Sequence, residues 1–248
     1  QSEIFANLAY IIASMLFIFG LKQLGSPETA QRGNLISSSG MLLAVLVTLI
    51  SNQIISYEWL VIGLVLGTLV GASAASFVKM TSMPELVALF NGFGGIASLL
   101  VGSAEYLGTG SLGLISLTAI FLTLIIGGIT FSGSLVAYGK LSEILPGKQI
   151  TFKGQRIVLV AIFIAALLFG AQLIFNFQMV EGWNPLFSFL LLISFALVIG
   201  LLITLPIGGA DMPVIIALLN SYSGLAASAA GFVINNNVLI VAGALVGA

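Results

Sequence analysis

The sequence contains no cysteine and no histidine, and only seven basic and eight acidic residues among 248. Without cysteine there is no disulfide framework and no thiolate metal site. Without histidine, the side chain best suited to relaying protons near neutral pH is missing. The scarcity of charge excludes more. A soluble domain carries roughly 25% charged residues; here the figure is 6%, with a mean hydropathy of +1.22. So few charges cannot cover a water-facing surface, so the chain is read as an all-α integral membrane protein. The net charge of −1 suggests no nucleic-acid partner. There is no Walker motif, no GxGxxG in a strand–helix context, no HExxH and no Ser/His/Asp set. Gly127 and Gly128 run on into apolar sequence rather than a nucleotide fold. No catalytic residue, metal ligand or cofactor-binding residue is therefore expected within the chain.

What is present is a succession of apolar runs. Runs near 20 residues, enough for roughly 30 Å of hydrocarbon, occupy residues 4–21, 35–55, 59–78, 83–102, 112–138, 157–177, 186–205 and 212–234. A ninth starts at residue 238 and reaches only about 16 Å as a helix, so it is expected to be truncated, with more chain following it. The chain begins at Gln1 rather than Met and is expected to have been trimmed. The first run has no basic leader and no small-residue cleavage site, so it is not read as a signal peptide. The whole, residues 1–248, is expected to form one transmembrane domain of about nine helices. All basic residues fall in alternate connections: Lys22 and Arg32, then Lys79, then Lys140, Lys148, Lys153 and Arg156. The opposite connections hold Glu58, Glu105 and Glu181 and no cation. Positive charge stays on the cytoplasmic or matrix side, which places the N-terminus outside.

One stretch occurs twice. Residues 83–98 read MPELVALFNGFGGIAS and residues 212–227 read MPVIIALLNSYSGLAA, 129 positions apart throughout. Met83/Met212, Pro84/Pro213, Asn91/Asn220, Phe93/Tyr222 and Gly95/Gly224 recur in step. Ser82 and Asp211 stand where an N-cap is wanted, each with proline in the first turn behind it. Gln31/Gln155, Arg32/Arg156 and Trp59/Trp183 match at an offset of 124. Helices one to four (about 4–102) thus look like helices five to eight (about 112–234). An even number of helices per copy gives both copies the same topology, a parallel repeat.

Each motif carries one asparagine about 12 Å into its helix, close to the bilayer midplane. An amide there needs partners or water, since an unpaired one costs about 2 kcal/mol or more. It either bonds a neighbouring helix as packing glue or holds water in a polar path. Asn91, Gly94, Gly95, Ser98 and Gly102 form one helical stripe, and Asn220, Ser223, Gly224, Ala227 and Gly231 repeat it. Such stripes let helices approach closely, or leave room for water beside the amide. The fifth helix has Thr123, Gly127, Thr130 and Ser134 at the same spacing; these hydroxyls can order water or bond back to their own helix. Glu85 and Asp211 are the ionisable residues in the opening turns of the motif helices, where the helix dipole favours a negative charge. Glu85 has no acidic counterpart in the second copy and reads as a carboxylate at the mouth of a path. Gly208 and Gly209 before Asp211 read as a flexible entry where a partner approaches.

Residues 210–232 (ADMPVIIALLNSYSGLAASAAGF), 83–95 (MPELVALFNGFGG) and 127–141 (GGITFSGSLVAYGKL) resemble the membrane domain of the beta subunit of proton-translocating NAD(P) transhydrogenase. The resemblance covers nearly the whole chain. It implies a part in an enzyme that exchanges hydride between NAD(H) and NADP(H) while protons cross the membrane. The cofactors NAD(H) and NADP(H) would be bound by soluble domains outside this chain. The NADP-binding domain would follow the ninth helix. Further partners would be an alpha subunit with its own transmembrane helices, a second copy of the assembly in a dimer, and the lipid bilayer. The membrane would be the bacterial cytoplasmic (inner) membrane or the mitochondrial inner membrane, crossed many times. The resemblance implicates Asn220 in a proton path, matches Ser134 to the hydroxyl region of the fifth helix and sets Asp211 facing the NADP-binding domain; the reading of the residues themselves adds Asn91, Thr130 and Glu85 to the path and Gly208 and Gly209 to the entry beside Asp211. Some members have histidine at the position of Asn91. Asparagine cannot titrate, so here the proton would use water ordered by Asn91, Asn220 and the hydroxyls, or a titratable group on the alpha side. From the repeat alone, two other readings stand: a secondary transporter with a small solute at the midplane, and a passive membrane anchor.

Overall fold

Eight helices long and apolar enough to cross a membrane, and a shorter ninth, make up the described part of the chain. In this computed structural model the described residues are 2–51, 57–108, 112–175 and 184–248. The helices are α1 (Ser2–Leu24), α2 (Ala30–Ser51), α3 (Tyr57–Phe77), α4 (Met83–Gly108), α5 (Leu114–Leu141), α6 (Gln155–Phe175), α7 (Pro185–Thr204), α8 (Met212–Val233) and α9 (Asn237–Gly247). No strand occurs among the described residues. Chain without water around it must satisfy its amides internally, and a helix does so within one segment.

Several helices extend past their apolar runs. α2 starts at Ala30 rather than 35, and α5 ends at Leu141 rather than 138. Apolar length measures contact with hydrocarbon, whereas the backbone ladder continues through polar residues such as Gln31, Arg32 and Lys140. Trp183 and Glu181, used above for the repeat and the orientation, lie outside the described residues. Proline or asparagine sets several starts. Asn184 caps α7 by accepting from the Leu186 amide, with Pro185 behind it, and Asn236 caps α9 by accepting from Leu239. The expected cap at Asp211 does not form. Its backbone is already helical (φ −93°, ψ −1°) because the 3₁₀ turn Gly209–Asp211 runs directly into α8, and its side chain makes no capping bond. A side-chain cap needs extended backbone at that residue. Another 3₁₀ turn, Met80–Ser82, precedes α4 in the same way.

The helices fall into two compact units, residues 1–78 and 79–248. In the first, α1 and α2 form an antiparallel pair. A methyl group on Gly20 would lie 2.9 Å from the Gly33 carbonyl oxygen and one on Gly40 would lie 3.1 Å from that of Ala13. Tyr10 and Thr48 share a hydrogen bond of 2.9 Å at the far end of the pair. Nothing on α3 is buried.

In the second unit α5 is central, buried along most of its length and packed by α4, α7 and α8. Ile120, Leu124, Leu192 and Ile199 form its most enclosed apolar core. Lipid gives no hydrophobic drive between helices, so association rests on close approach. Small residues supply that approach on several sides of α5. A methyl on Gly127 would meet the Gly95 carbonyl oxygen of α4 at 2.7 Å, and one on Gly200 of α7 would meet that of Ile129 at 2.4 Å. The second copy of the motif does the same with a different neighbour. Gly224 of α8 crosses α9 so closely that a methyl there would lie 2.7 Å from the Gly243 carbonyl oxygen. α9 thus stands to α8 as α5 stands to α4, with the same motif glycine at each crossing. The outlying match is looser: Gln31 is exposed, whereas Gln155 is buried and donates to the Leu202 carbonyl at 2.9 Å.

Candidate functional site

The buried face of α4 is Ala88, Asn91, Gly92, Gly95, Ser98, Leu99 and Gly102. This is the small-residue stripe, closed against α5, where a methyl on Gly102 would lie 3.2 Å from Thr123 Cγ2. The stripe is therefore spent on helix contact. Where it begins, the contact becomes polar. Asn91 Nδ2 donates to Ser134 Oγ across the crossing at 3.0 Å. Both residues are buried, 7% and 1% exposed. Gly92 makes the room, since a methyl there would sit 3.2 Å from Ser134 Cβ.

The asparagine has a second polar atom, and that one has no hydrogen-bond partner. Asn91 Oδ1 is fully enclosed and accepts from nothing among the described residues. Exchanging amide oxygen and nitrogen would change only which of the two faces Ser134. In either orientation one half of the amide is paired and the other is buried without a partner. The buried α5 hydroxyls of Thr123, Thr130 and Ser132 bond back to their own helix, to Ala119 at 2.7 Å, Ile126 at 2.7 Å and Gly128 at 3.0 Å. Ser134 is the one that takes a bond from α4.

Of the residues singled out from sequence, the structure brings together Asn91, Ser134 and Thr130, the last one turn before Ser134 and completely buried. Glu85 lies in the first turn of α4, half-buried. Asn220 is elsewhere, at an exposed position of α8. α8 reaches α4 through Ser223 instead, whose Oγ would lie 2.8 Å from a methyl on Gly94. The two asparagines, identical in the repeat, thus stand in different surroundings, because α5 covers one and the described chain leaves the other open.

Asp211 is exposed, with Gly208 and Gly209 half-buried beside it. This segment is held rather than loose. The Gly209 amide donates to the Gly147 carbonyl at 2.8 Å, and the Ile150 amide donates to that of Leu205 at 3.1 Å. The two bonds tie the α7–α8 connection to the α5–α6 connection. At their centre is a residue that sequence reading counted only as a charge for orientation. Lys140, in the last turn of α5, is 3% exposed. Its Nζ donates to the carbonyls of Leu205 at 2.6 Å, Ile207 at 2.5 Å and Lys148 at 3.3 Å. One signal was available: Lys140 continues the small buried face of Gly133 and Ala137 at helical spacing.

The sequence matches the family described as NAD(P) transhydrogenase beta subunit over residues 6–248. Two relatives from Rhodospirillum rubrum, both named NAD(P) transhydrogenase subunit beta, are 42% identical to it over 247 residues. The alignments cover 96% of this chain and 52% of each relative, so the chain spans about half their length. Its run of apolar helices makes it a multi-pass membrane protein. On this match and this architecture, the chain belongs to the NAD(P) transhydrogenase beta subunit family.

Proposed function

We propose that this chain is the proton-conducting membrane domain of a nicotinamide nucleotide transhydrogenase, and that it couples proton translocation to hydride transfer between NAD(H) and NADP(H). The hydride step belongs to soluble domains outside the chain. The observation that carries the reading is the half-paired amide of Asn91, buried beside Ser134 in an otherwise apolar bundle. A buried acceptor without a partner costs about 1–3 kcal/mol, and such a cost is expected where polar groups serve a pathway rather than stability. On this reading the path runs along α4 and α5 past Asn91, Ser134 and Thr130. Glu85 stands toward its inner mouth, and Asn220 faces a part of the path completed by another helix. None of these uncharged groups can hold a proton, so water or a titratable group on an alpha-subunit helix carries it.

At the basic side, Asp211 with Gly208 and Gly209 would face the NADP-binding domain of the same subunit. Protonation in the path would then bias the equilibrium between two positions of that domain, a population shift rather than direct chemistry. The orientation follows from the basic connections, with the N-terminus outside, in a bacterial cytoplasmic or mitochondrial inner membrane. The assembly would be completed by the alpha subunit and by a second copy. A solute transporter has less support: α4 and α8 run as continuous helices, with no unwound stretch to bind a substrate.

The test is proton uptake by vesicles carrying the whole assembly during hydride transfer, comparing wild type with Asn220→Ala. The proposal expects hydride transfer to persist while uptake falls. Normal uptake in assembled Asn220→Ala removes Asn220 from the path.

A further inference from the structure

We propose that Lys140 is a positioning residue that fixes the Gly208–Asp211 segment to α5 and so links the helix bearing Ser134 to the surface that meets the NADP-binding domain. The inference rests on the function proposed above and adds a residue and a means of transmission to it.

Lys140 meets three carbonyl oxygens, those of Leu205, Ile207 and Lys148. Three acceptors call for three N–H groups, which an ammonium has and a neutral amine lacks. The cation also sits in the last turn of α5, where the helix dipole is negative. Leu205 caps the C-terminus of α7, so its carbonyl has no partner within that helix. It receives both the ammonium and the Ile150 amide. Without Lys140 this carbonyl keeps one bond and Ile207 loses the one it has here. Of the hydrogen bonds that hold the α7–α8 connection to the α5–α6 connection among the described residues, the two backbone bonds of Gly209 and Ile150 would then remain.

Location gives the clamp its consequence. Lys140 lies six residues after Ser134, about 9 Å along the same helix. The chain it grips ends at Ile207, directly before Gly208. Lys140 therefore gives α5 a direct polar link to the residue before Gly208, beside the apolar packing of Ala137, Tyr138 and Leu141 in one cluster with Ile207 and Met212. A buried ammonium held only by carbonyl dipoles is costly to place. An anchor with no other task could be built from the backbone bonds already there.

The experiment uses the complete assembly in vesicles, measuring hydride transfer, proton uptake and thermal stability for wild type, Lys140→Met and Gln155→Leu. Gln155 donates to the Leu202 carbonyl one turn earlier on α7, so its loss loosens the same end of the bundle without touching the clamp. Both variants are expected to melt lower than wild type. Only Lys140→Met is expected to lower the protons taken up per hydride, by at least fivefold, with the hydride rate kept. An unchanged ratio in assembled Lys140→Met, or an equal loss in Gln155→Leu, overturns the proposal. If Lys140→Met does not assemble, hydrogen exchange in the wild-type assembly decides. Adding NADPH should change the protection of residues 145–150 and 205–211 together; a change in one alone, or in neither, overturns it. Failure of the wild-type assembly to take up protons would sink the proposed function itself, a different result from either of these.

Discussion

Replacing Asn91 with leucine separates packing glue from a path, because the two roles predict different changes in stability. Leucine has the same number of side-chain heavy atoms as asparagine, branched at the same carbon, so it follows the same course into the α4–α5 crossing, with methyl groups bulkier than the amide oxygen and nitrogen they replace. The substitution removes the bond to Ser134 Oγ; interhelical bonds of this kind contribute about 0.6 kcal/mol, at most about 1.7. Ser134 can then turn back to the carbonyl four residues earlier, as Thr123 and Thr130 already do. Against that loss, the substitution removes a buried polar atom with no protein partner, which relieves about 1–3 kcal/mol. These two contributions sum to between a loss of about 0.7 and a gain of about 2.4 kcal/mol, a change in Tm from a fall of about 2 °C to a rise of about 7 °C for a chain of this size. The assay is thermal unfolding of the detergent-solubilised assembly. A fall in Tm of several degrees would refute the reasoning, for Asn91 would then be there to hold helices together.

Other substitutions test the close crossings. Gly95→Ala drives a methyl to 2.8 Å from the Gly127 carbonyl oxygen, an atom that cannot turn aside. Overpacking near 3 kcal/mol, less about 1 kcal/mol of helix propensity gained, leaves a net loss of about 2 kcal/mol, read as a Tm lower by about 4–8 °C. Gly102→Ala meets only the Thr123 side chain at 3.2 Å and should change Tm by less than about 2 °C. If Gly102→Ala melts as low as Gly95→Ala, the crossing is not where the structure puts it. Orientation is open to a chemical check, since the chain has no cysteine of its own. A cysteine at Lys153 should react with an impermeant thiol reagent only from the cytoplasmic side, and one at Leu107 only from the other. Labelling of both from one side would contradict the positive-inside assignment.

The membrane class, the count of helices and the small-residue faces were all legible in the sequence. Composition and the 3.6-residue period depend on neighbours along one helix, and these are written in order. The role of Gly95 was legible for the same reason. Pairings between helices were not. That Asn91 meets Ser134, 43 positions on, while Asn220 stays exposed depends on which helix covers each motif, and α5 and α9 differ there. The repeat predicted equal surroundings for two residues that the packing treats differently. Lys140 was missed for a related reason: its partners at Leu205 and Ile207 lie 65 and 67 positions away. They are backbone carbonyls, which carry no residue-type signal. The cap expected at Asp211 failed because residue type alone does not reveal that a 3₁₀ turn already occupies the position.

The central claim, that the polar crossing of α4 and α5 is part of a proton path, is tested most directly by the number of protons taken up per hydride transferred in vesicles carrying the Asn91→Leu assembly. The account predicts a stable assembly that still transfers hydride and takes up few or no protons. A wild-type ratio in that variant would contradict it and leave the Asn91–Ser134 pair as one more contact between two helices.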